Sequence, residues 1–480
     1  MLFYLIIYLI VVLLLLSFIP SYKVNLIKIF TLYASFGALI LSLTLWLKFD
    51  NNITGFQDLH YFYFNLPYLN LTYSLGIDGI SIFFILLTTL LIPLCVLASW
   101  NSIKYRVKEF NLLLLLIELL LINVFSVLDI LFFYVFFESI LIPMFLLIGV
   151  WGSRTEKIYA AYQFVLYTLF GSVLMLLSIL LMYFHIGATD YDSLLFTSFS
   201  HSRQILIWLA LFASFAVKTP MLPFHIWLPK AHVEAPTAGS VLLAGVLLKM
   251  GTYGFLRFSI PLFPYASQYF TPFIYTLSIL AILYTSLTTI RQIDLKRIIA
   301  YSSVAHMNFV LVGLFSNNIQ AVEGSVILML SHGLVSSGLF LCIGFLYDRY
   351  HTRILRYYSG LITVMPIFGI VLLLLTLANI SLPSTSSFVG EFLVLLGVFK
   401  TNASVSFLTG LGIILGAIYS MWLYNRIMFG SVSTYIKYYS DLNRREFYVF
   451  IPLFFLIFLM GIKPNVFLDL MHLPILQIIV

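Results

Sequence analysis

The sequence predicts an all-α protein that crosses a membrane about fourteen times. Of its 480 residues, 62% are hydrophobic and only 9% are charged, whereas soluble domains carry about 25% charged residues. Apolar runs recur that are long enough to cross about 30 Å of hydrocarbon as helices. These runs lack the residue-by-residue alternation of an outer-membrane β-barrel. Helices, which satisfy their backbone groups internally, are therefore expected.

The predicted spans follow one another without a linker or a change of composition, so residues 1–480 are expected to form a single membrane domain. The first span, MLFYLIIYLIVVLLLLSFIP, has neither a basic leader nor a small-residue cleavage site and is expected to be retained. Two longer polar connections are expected at 49–76 and 186–203. The approximate limits of the spans are 2–20, 28–48, 77–98, 110–127, 129–150, 160–185, 204–228, 235–256, 270–290, 296–315, 320–347, 362–400, 405–428 and 447–468.

Two spans are predicted to be broken helices. FAVKTPMLPFHIWLP (215–229) in the seventh span and LANISLPSTSSFVGEF (377–392) in the twelfth carry prolines and polar residues at mid-span. Paired broken helices in corresponding positions are typical of transporters built from inverted repeats; the alternative is that the prolines are packing kinks. The first alternative predicts two inverted five-helix repeats, with the chain divided as 1–109 (three helices), 110–256 (first repeat), 270–430 (second repeat) and 431–480 (C-terminal loop and last helix).

The distribution of basic residues predicts the orientation. Fourteen spans place both termini on one side, which leaves eighteen of the 25 Lys and Arg in connections on the other side. Basic connections face the cytoplasm or the matrix. The net charge of +7 therefore reflects topology and does not indicate a nucleic-acid partner. Lys218 and Lys249 are the two cations that no connection is expected to hold, and five are assigned to the side of the termini: Lys48, Arg203, Arg257, Lys400 and Lys463.

Ionisable residues inside the predicted spans are the candidate functional residues, because such groups are costly in a bilayer and commonly functional. Leaving three of them unpaired would cost on the order of 10 kcal/mol. We therefore expect Glu138 to lie beside Lys218, where the carboxylate would control whether the lysine holds a proton. The full set is Glu118, Glu138, Lys218, Lys249, His306, His332 and Glu391.

Other roles remain open for several of these residues. Glu118, His306 and His332 could instead be hydrogen-bonded packing residues of the core. Asp129 is expected to cap the fifth helix at its N-terminus. His225 could serve proton uptake or cap the broken seventh helix.

No motif predicts a cofactor bound by this chain. Cys95 and Cys342 are far apart in apolar runs and are expected to be core residues. GLGIILG (410–416) lies within a span with no strand before it, which excludes a dinucleotide-binding loop.

Several segments resemble the antiporter-like membrane subunits of respiratory complex I, NADH:ubiquinone oxidoreductase. They are FFESILIPMFLLIGVWGSR (136–154), KTPMLPFHIWLPKAHVEAPTAGSVLLAGVLLKMGTYG (218–254), IIAYSSVAHMNFVLVG (298–313), SLGIDGISIFF (74–84) and SHGLVSSGLFLCIGFLYDRYHTR (331–353). The resemblance covers most of residues 74–430. The wider family includes Mrp-type cation/proton antiporters.

The resemblance implies fourteen helices with two inverted five-helix repeats and a proton channel driven by redox chemistry in other subunits. Glu138 matches the family's fifth-helix glutamate, Lys218 the lysine of the broken seventh helix, and Lys249 the eighth-helix lysine that links two half-channels. His306 and His332 match positions of a polar axis, and Glu118 a fourth-helix acid of lesser effect. Glu391 matches the twelfth-helix terminal residue. Several relatives carry lysine there, so the glutamate favours one of the paralogous subunits over the others.

The resemblance also implies partners and a location. NADH, FMN, Fe–S clusters and ubiquinone are expected in partner subunits, and other membrane-arm subunits, including neighbouring antiporter-like ones, and phospholipid are expected as partners. The location implied is the mitochondrial inner membrane, with basic loops in the matrix. Two alternatives stay open: an Mrp-type antiporter subunit without redox coupling, and a membrane-arm subunit with a purely structural role.

Overall fold

The computed structural model describes residues 1–66, 69–436 and 438–479, with only the backbone for 64–66 and 69–71. Lys437, one of the eighteen cations assigned above, lies outside the described residues. In chain order the α-helices are α1 (Leu2–Phe18), α2 (Val24–Lys48), α3 (Ser81–Ala98), α4 (Val107–Ser126), α5 (Ile130–Ser139), α6 (Leu141–Trp151), α7 (Lys157–Ile186), α8 (Tyr191–Phe196), α9 (His201–Lys218), α10 (Trp227–Glu234), α11 (Thr237–Leu242), α12 (Leu248–Gly254), α13 (Ile260–Leu262), α14 (Pro264–Tyr269), α15 (Thr271–Arg291), α16 (Leu295–Leu314), α17 (Ile319–Tyr350), α18 (Leu361–Val364), α19 (Pro366–Asn379), α20 (Ser386–Thr401), α21 (Ala403–Met428), α22 (Arg444–Ile462) and α23 (Asn465–Ile479).

The predicted all-α membrane architecture is confirmed, because every predicted span has a helical counterpart. Within the described part of the chain, eleven helical segments are long and apolar enough to cross a membrane. The remaining predicted spans correspond to the shorter apolar helix α1 and to two interrupted helices, α9 with α10 and α19 with α20.

Two connections differ from the prediction. The polar connection at 49–76 contains an antiparallel hairpin of β1 (Gln57–Leu66) and β2 (Leu69–Ile77). Its aromatic and β-branched residues favour strands, and α3 consequently begins at Ser81 rather than at 77. The last predicted span ends at Ile462 instead of 468, and a separate helix, α23, follows Pro464. A proline cannot continue a helix interior without loss of a hydrogen bond.

The break in the seventh span is confirmed. Helix α9 ends at Lys218, and a single 3-10 turn, Phe224–Ile226, precedes α10. Backbone carbonyls freed at the break need partners inside a membrane. Trp227 Nε1 donates to Val217 O at 3.0 Å, and Asn308 Nδ2 donates to Pro220 O at 3.3 Å. Side chains therefore hold the interrupted backbone in place.

The break in the twelfth span is also confirmed. Helix α19 ends at Asn379 and α20 begins at Ser386. Across the gap, Ser387 Oγ donates a short hydrogen bond to Ala378 O. The two halves are joined by this bond as well as by the chain.

The fifth span has an interruption that sequence analysis did not predict. Asp129 caps α5 as predicted, since its Oδ1 accepts from the N–H groups of Leu131 and Phe132 at 2.8 and 3.1 Å. The span is then interrupted at Ile140, between α5 and α6. Pro143 explains the interruption, because its ring has no N–H for Ser139 O and would clash with that carbonyl in a regular helix.

The eighth span is one continuous helical segment, Thr237–Leu262, which we call helix 8. It widens into π-helical turns at Leu243–Leu247 and Phe255–Ser259. Such turns occur frequently at functional sites.

Arg257 corrects the predicted assignment of cations to connections. It lies inside helix 8, is 4% exposed, and its Nη2 lies 2.5 Å from Asp78 Oδ2. Lys296 and Arg353, also assigned to connections, are 2% and 0% exposed. Lys218 and Lys249 are therefore not the only buried cations. A count from sequence cannot show that a residue near a helix end has a buried carboxylate as its partner.

Removing one member of this ion pair should destabilise the protein more than removing both charges. In Arg257→Gln, Asp78 would stay buried without its cation, a change that typically costs about 3–5 kcal/mol. The double variant Asp78→Asn/Arg257→Gln should recover most of that loss, since Asn keeps the oxygen that accepts from Ser81 N at 2.8 Å. The midpoint of thermal inactivation of purified protein measures both effects. A double variant no more stable than the single one would contradict the prediction.

Candidate functional site

Two buried helical segments cross at the centre of the protein. In helix 8 and in α17, every residue of the 18-residue stretch with high hydropathy is buried. A Cβ on Gly333 of α17 would lie 3.0 Å from Gly245 O of helix 8 and 2.7 Å from a methyl of Leu87. Glycine therefore permits the close approach of the two helices.

Lys249 of helix 8 meets His332 of α17 next to this crossing. Its Nζ lies 2.8 Å from His332 Nδ1, and Lys249 is 0% exposed. The same Nζ donates a short hydrogen bond to Ala244 O, within the first π-helical turn. An ammonium has three donors, so these two contacts leave room for one further partner.

The contacts continue from His332 through His306 to Glu391. The ring centroids of His332 and His306 lie 5.7 Å apart, and His306 Nδ1 lies 3.3 Å from Glu391 Oε1. We call Lys249, His332, His306 and Glu391 the central row. Sequence analysis predicted all four residues, and the structure brings them together in this order.

Helix α20 positions Glu391 by packing directly against α17. A Cβ on Gly390 would lie 2.9 Å from the backbone of Leu328. A larger residue at 390 would push α20, and Glu391 with it, away from His306.

A small cavity lies beside the Glu391 end of the row. It has a volume of about 20 Å³ and is lined by His306, Glu391, Asn379 and Tyr419, among others. That volume accommodates about one water molecule. His306 Nε2 and Glu391 Oε2 have no hydrogen-bond partner among the described residues. Asn379 and Tyr419 were not predicted from the sequence, although both are polar residues inside predicted spans.

Glu138 and Lys218 lie close together but form no direct ion pair. They interact electrostatically, yet within the described part of the chain their charged atoms are not in salt-bridge contact. Lys218 Nζ instead lies 4.4 Å from the centroid of the Phe137 ring and has no hydrogen-bond partner among the described side chains and backbone groups. Lys218 Nζ therefore lies against an aromatic face, to which a cation is attracted.

Lys218 packs against helix 8 at Gly251, close in sequence to Lys249. A Cβ on Gly251 would lie 3.1 Å from Lys218 Cβ, which places the two lysines on adjacent backbone segments. In the described residues, no side-chain hydrogen bond or ion pair joins Lys218 to Lys249.

Glu118 and His225 are separate from the central row. Glu118 is 0% exposed, its carboxylate oxygens have no partner among the described residues, and its electrostatic neighbour is Tyr8 of α1. His225 lies in the 3-10 turn, with its ring centroid 6.1 Å from that of Tyr284. Among the described residues, neither forms a hydrogen bond or an ion pair with a member of the central row.

Two buried basic residues near the central row were missed by sequence analysis. His232 is 0% exposed and stacks on Phe340 with centroids 4.8 Å apart. Lys296 Nζ donates to Ala235 O at 2.9 Å. Lys296 was assigned to a connection because it lies near the end of a predicted span, and His232 falls between the predicted spans 204–228 and 235–256.

These features define a class of protein. Interrupted helices around a buried row of acids and bases, inside a bundle of apolar helices, are typical of a membrane transporter of protons or ions.

Comparisons with known proteins agree with this class and narrow it. Residues 128–418 match the family described as NADH:quinone oxidoreductase/Mrp antiporter, TM. NADH-ubiquinone oxidoreductase chain 4 of Marchantia polymorpha is 60% identical over 455 residues, 95% of this chain and 92% of that protein. The chain 4 protein of Arabidopsis thaliana is 60% identical over 458 residues, with the same coverage.

A solved structure shares the whole fold. A chain of respiratory complex I from Thermus thermophilus with bound NADH superposes with a TM-score of 0.88 at 30% identity, covering 100% of both chains. The present chain therefore belongs to the NADH:quinone oxidoreductase/Mrp antiporter family, and within it to the NADH-ubiquinone oxidoreductase chain 4 proteins. The resemblance described from sequence is confirmed, as is the choice among paralogous subunits that Glu391 favoured.

Adding a methyl group at the helix crossing should destabilise the protein. Gly333→Ala would place a Cβ against the backbone of helix 8, and overpacking of this kind typically costs about 1–3 kcal/mol. Gly149→Ala is the matched control, because that helical glycine has nothing within 4 Å of an added Cβ. Alanine should be neutral or slightly stabilising there. Thermal inactivation of both variants tests the crossing, and equal midpoints would contradict it.

Proposed function

We propose that this chain moves protons across the mitochondrial inner membrane as an antiporter-like membrane-arm subunit of NADH:ubiquinone oxidoreductase. Family membership and the fold shared with a complex I chain support the assembly. The observation that carries the proton-moving role is the central row, whose contacts run from Lys249 to Glu391 through two histidines.

The chemistry of the central row suits proton transfer. A neutral lysine can accept a proton, and the ammonium that forms can release it again. Lys249 Nζ already contacts His332 Nδ1. An imidazole can accept a proton at one ring nitrogen and release one from the other. Glu391 at the end of the row can take the proton from His306 as a carboxylate. Each step then needs only the movement of a side chain or of one water.

Glu138 and Lys218 form the proposed uptake half. Because burial favours the neutral form of a lysine and a nearby carboxylate favours the charged form, the charge on Glu138 would set whether Lys218 holds its proton. No direct side-chain contact leads from Lys218 to Lys249 among the described residues. We assign this step to bridging water, which can connect polar groups across such a gap.

Glu391 is the proposed release end. The cavity beside it offers room for about one water. We propose that release is to the side opposite the basic connections and that those connections face the matrix, as the distribution of Lys and Arg predicts.

We place the redox chemistry in other subunits. NADH, FMN, the Fe–S clusters and ubiquinone would be bound there, and this chain would contact neighbouring antiporter-like subunits and phospholipid. The family also covers Mrp antiporters, but the relatives compared carry the name of an NADH-ubiquinone oxidoreductase chain. Co-purification with flavin and Fe–S subunits separates the two assignments.

Removing the ammonium of Lys249 should abolish most proton translocation while the assembly survives. Lys249→Met keeps an unbranched apolar stem and removes the group that contacts His332. A positioned acid–base group contributes roughly 10²–10⁴-fold, so we expect translocation in reconstituted vesicles to fall at least about ten-fold. Lys104→Met, at an exposed position, is the matched control. A purely structural role predicts normal translocation in assembled Lys249→Met complex, and that result would sink the proposal.

The aromatic ring of Phe137 should also affect the rate of proton translocation. Phe137→Leu removes the ring over which Lys218 Nζ lies, an interaction worth about 2 kcal/mol in a desolvated site. Loss of the ring shifts Lys218 towards its neutral form and should slow translocation several-fold. Phe133→Leu removes the same volume from α5, where no cation lies over the ring in the described part of the chain. Equal initial rates of vesicle acidification in the two variants would contradict this role.

A further inference from the structure

His232 is a buried histidine without a structural explanation. It is 0% exposed, and both of its ring nitrogens lack a hydrogen-bond partner among the described residues. Its ring lies flat on Phe340, with an interplanar angle of 6°. Buried polar groups are nearly always hydrogen-bonded, so two unpaired nitrogens in one buried ring call for a functional reason.

Lys296 is a second buried base near the start of helix 8. It is 2% exposed, and its Nζ donates to Ala235 O at 2.9 Å and to Ser240 Oγ at 3.4 Å. Ser240 Oγ in turn donates to His232 O at 3.0 Å. Lys296 therefore binds the short segment that joins the broken seventh span to helix 8.

Helix 8 sets the spacing between Lys296 and the central row. The acceptors of the two lysines, Ser240 for Lys296 and Ala244 for Lys249, lie four residues apart on helix 8. Four residues correspond to about 6 Å of rise, roughly one turn. Lys296, Lys249 and His332 all lie close enough to His232 to interact with it electrostatically. His232 thus lies within electrostatic range of a lysine near the start of helix 8 and of the first two members of the central row.

We propose that Lys296 and His232 form a second proton-uptake branch that delivers protons to Lys249 without passing through Lys218. This inference rests on the proposed function, because it supplies the same central row. In the transfer, the Lys296 ammonium gives a proton to one ring nitrogen of His232. The other ring nitrogen releases a proton to neutral Lys249, and a turn of the ring restores the starting tautomer. Charge and protons balance with no further reactant.

The lysines can make the movements that this transfer needs. Each has a flexible four-carbon stem, and each Nζ can exchange a backbone or hydroxyl oxygen for a nitrogen of His232. Of the two unpaired ring nitrogens, one can accept the proton from Lys296 while the other, which carries an N–H, can donate to Lys249.

Carboxylates surround the outer end of this branch. Lys296 interacts with Arg353, Asp294, Asp348 and Glu234. Arg353 Nη2 lies 3.2 Å from Glu234 Oε1 and its Nε lies 3.8 Å from Asp294 Oδ2, so Arg353 neutralises much of their charge. Asp348 is partly exposed at the C-terminal end of α17. It links the buried branch to the side that holds the basic connections.

Two pairs of variants in the assembled complex test the branch. His232→Phe keeps a flat ring for Phe340 and removes both nitrogens, and His185→Phe at an exposed position is its control. Lys296→Arg keeps a cation for Ala235 O but cannot release its proton at physiological pH, whereas Lys296→Met removes the cation. Initial rates of proton uptake from the basic-connection side are measured in vesicles, in H₂O and in D₂O.

We expect His232→Phe and Lys296→Arg to lower proton uptake several-fold, up to roughly ten-fold, with a larger solvent isotope effect because proton delivery becomes limiting. A structural cation at 296 predicts that Lys296→Arg restores what Lys296→Met loses. Full rescue by arginine, or normal uptake and isotope effect in assembled His232→Phe complex, would overturn the branch. Lys249→Met separates the two proposals: if it abolishes translocation while His232→Phe does not change it, only the branch fails. If Lys249→Met itself has no effect, the proposed function fails.

Discussion

The contact between Lys249 Nζ and His332 Nδ1 is the interaction on which the site depends. This contact joins helix 8 and α17, whose apolar 18-residue stretches are completely buried. Both partners therefore lie away from aqueous solvent. A charge in such surroundings is costly unless neighbouring groups stabilise it. The carbonyl of Ala244 and the imidazole of His332 partly stabilise a charge on Lys249. The proton can still transfer between lysine and imidazole, because both are bases. The close crossing at Gly333, the π-helical turn at Ala244 and the approach of α20 all serve to keep this contact and its continuation to Glu391.

The interrupted helices solve a second problem, which is the fate of backbone groups inside an apolar medium. In the seventh span the freed carbonyls of Val217 and Pro220 receive hydrogen bonds from Trp227 and Asn308. In the twelfth span Ser387 bonds across the gap to Ala378. The breaks therefore expose little backbone while they bring Lys218 to the end of a helix and Glu391 near the start of another. Proline causes the seventh and twelfth breaks, and the same physics at Pro143 explains the unpredicted turn beside Glu138.

The sequence carries the information for spans, breaks and candidate charges, because hydropathy, proline and the cost of buried charge are local properties. It predicted the members of the central row, partly through a family resemblance. It could not supply their order or contacts, since these depend on helix crossings that particular glycines permit. The hairpin was not predicted from the sequence, because the polar residues on either side of it are typical of a loop. Arg257 and Lys296 were counted as loop residues because burial near a helix end depends on a partner distant in sequence, Asp78 in one case and Ala235 in the other. The sequence could not show that the ring nitrogens of His232 lack hydrogen-bond partners, since this depends on the folded structure.

Helix 8 is restrained at both ends by cations. Lys296 binds Ala235 and Ser240 at its beginning, and near its end Arg257 is paired with Asp78, which precedes α3. Tyr253 OH adds a bond to Phe125 O at 3.0 Å. A helix fastened in this way resists sliding along its axis, because any shift would separate buried charges from their partners. In the proposed function, Lys249 would then change its proton occupancy while its backbone stays in place. Communication with adjacent subunits through this helix would consequently travel as a change of electrostatic potential and not as mechanical displacement.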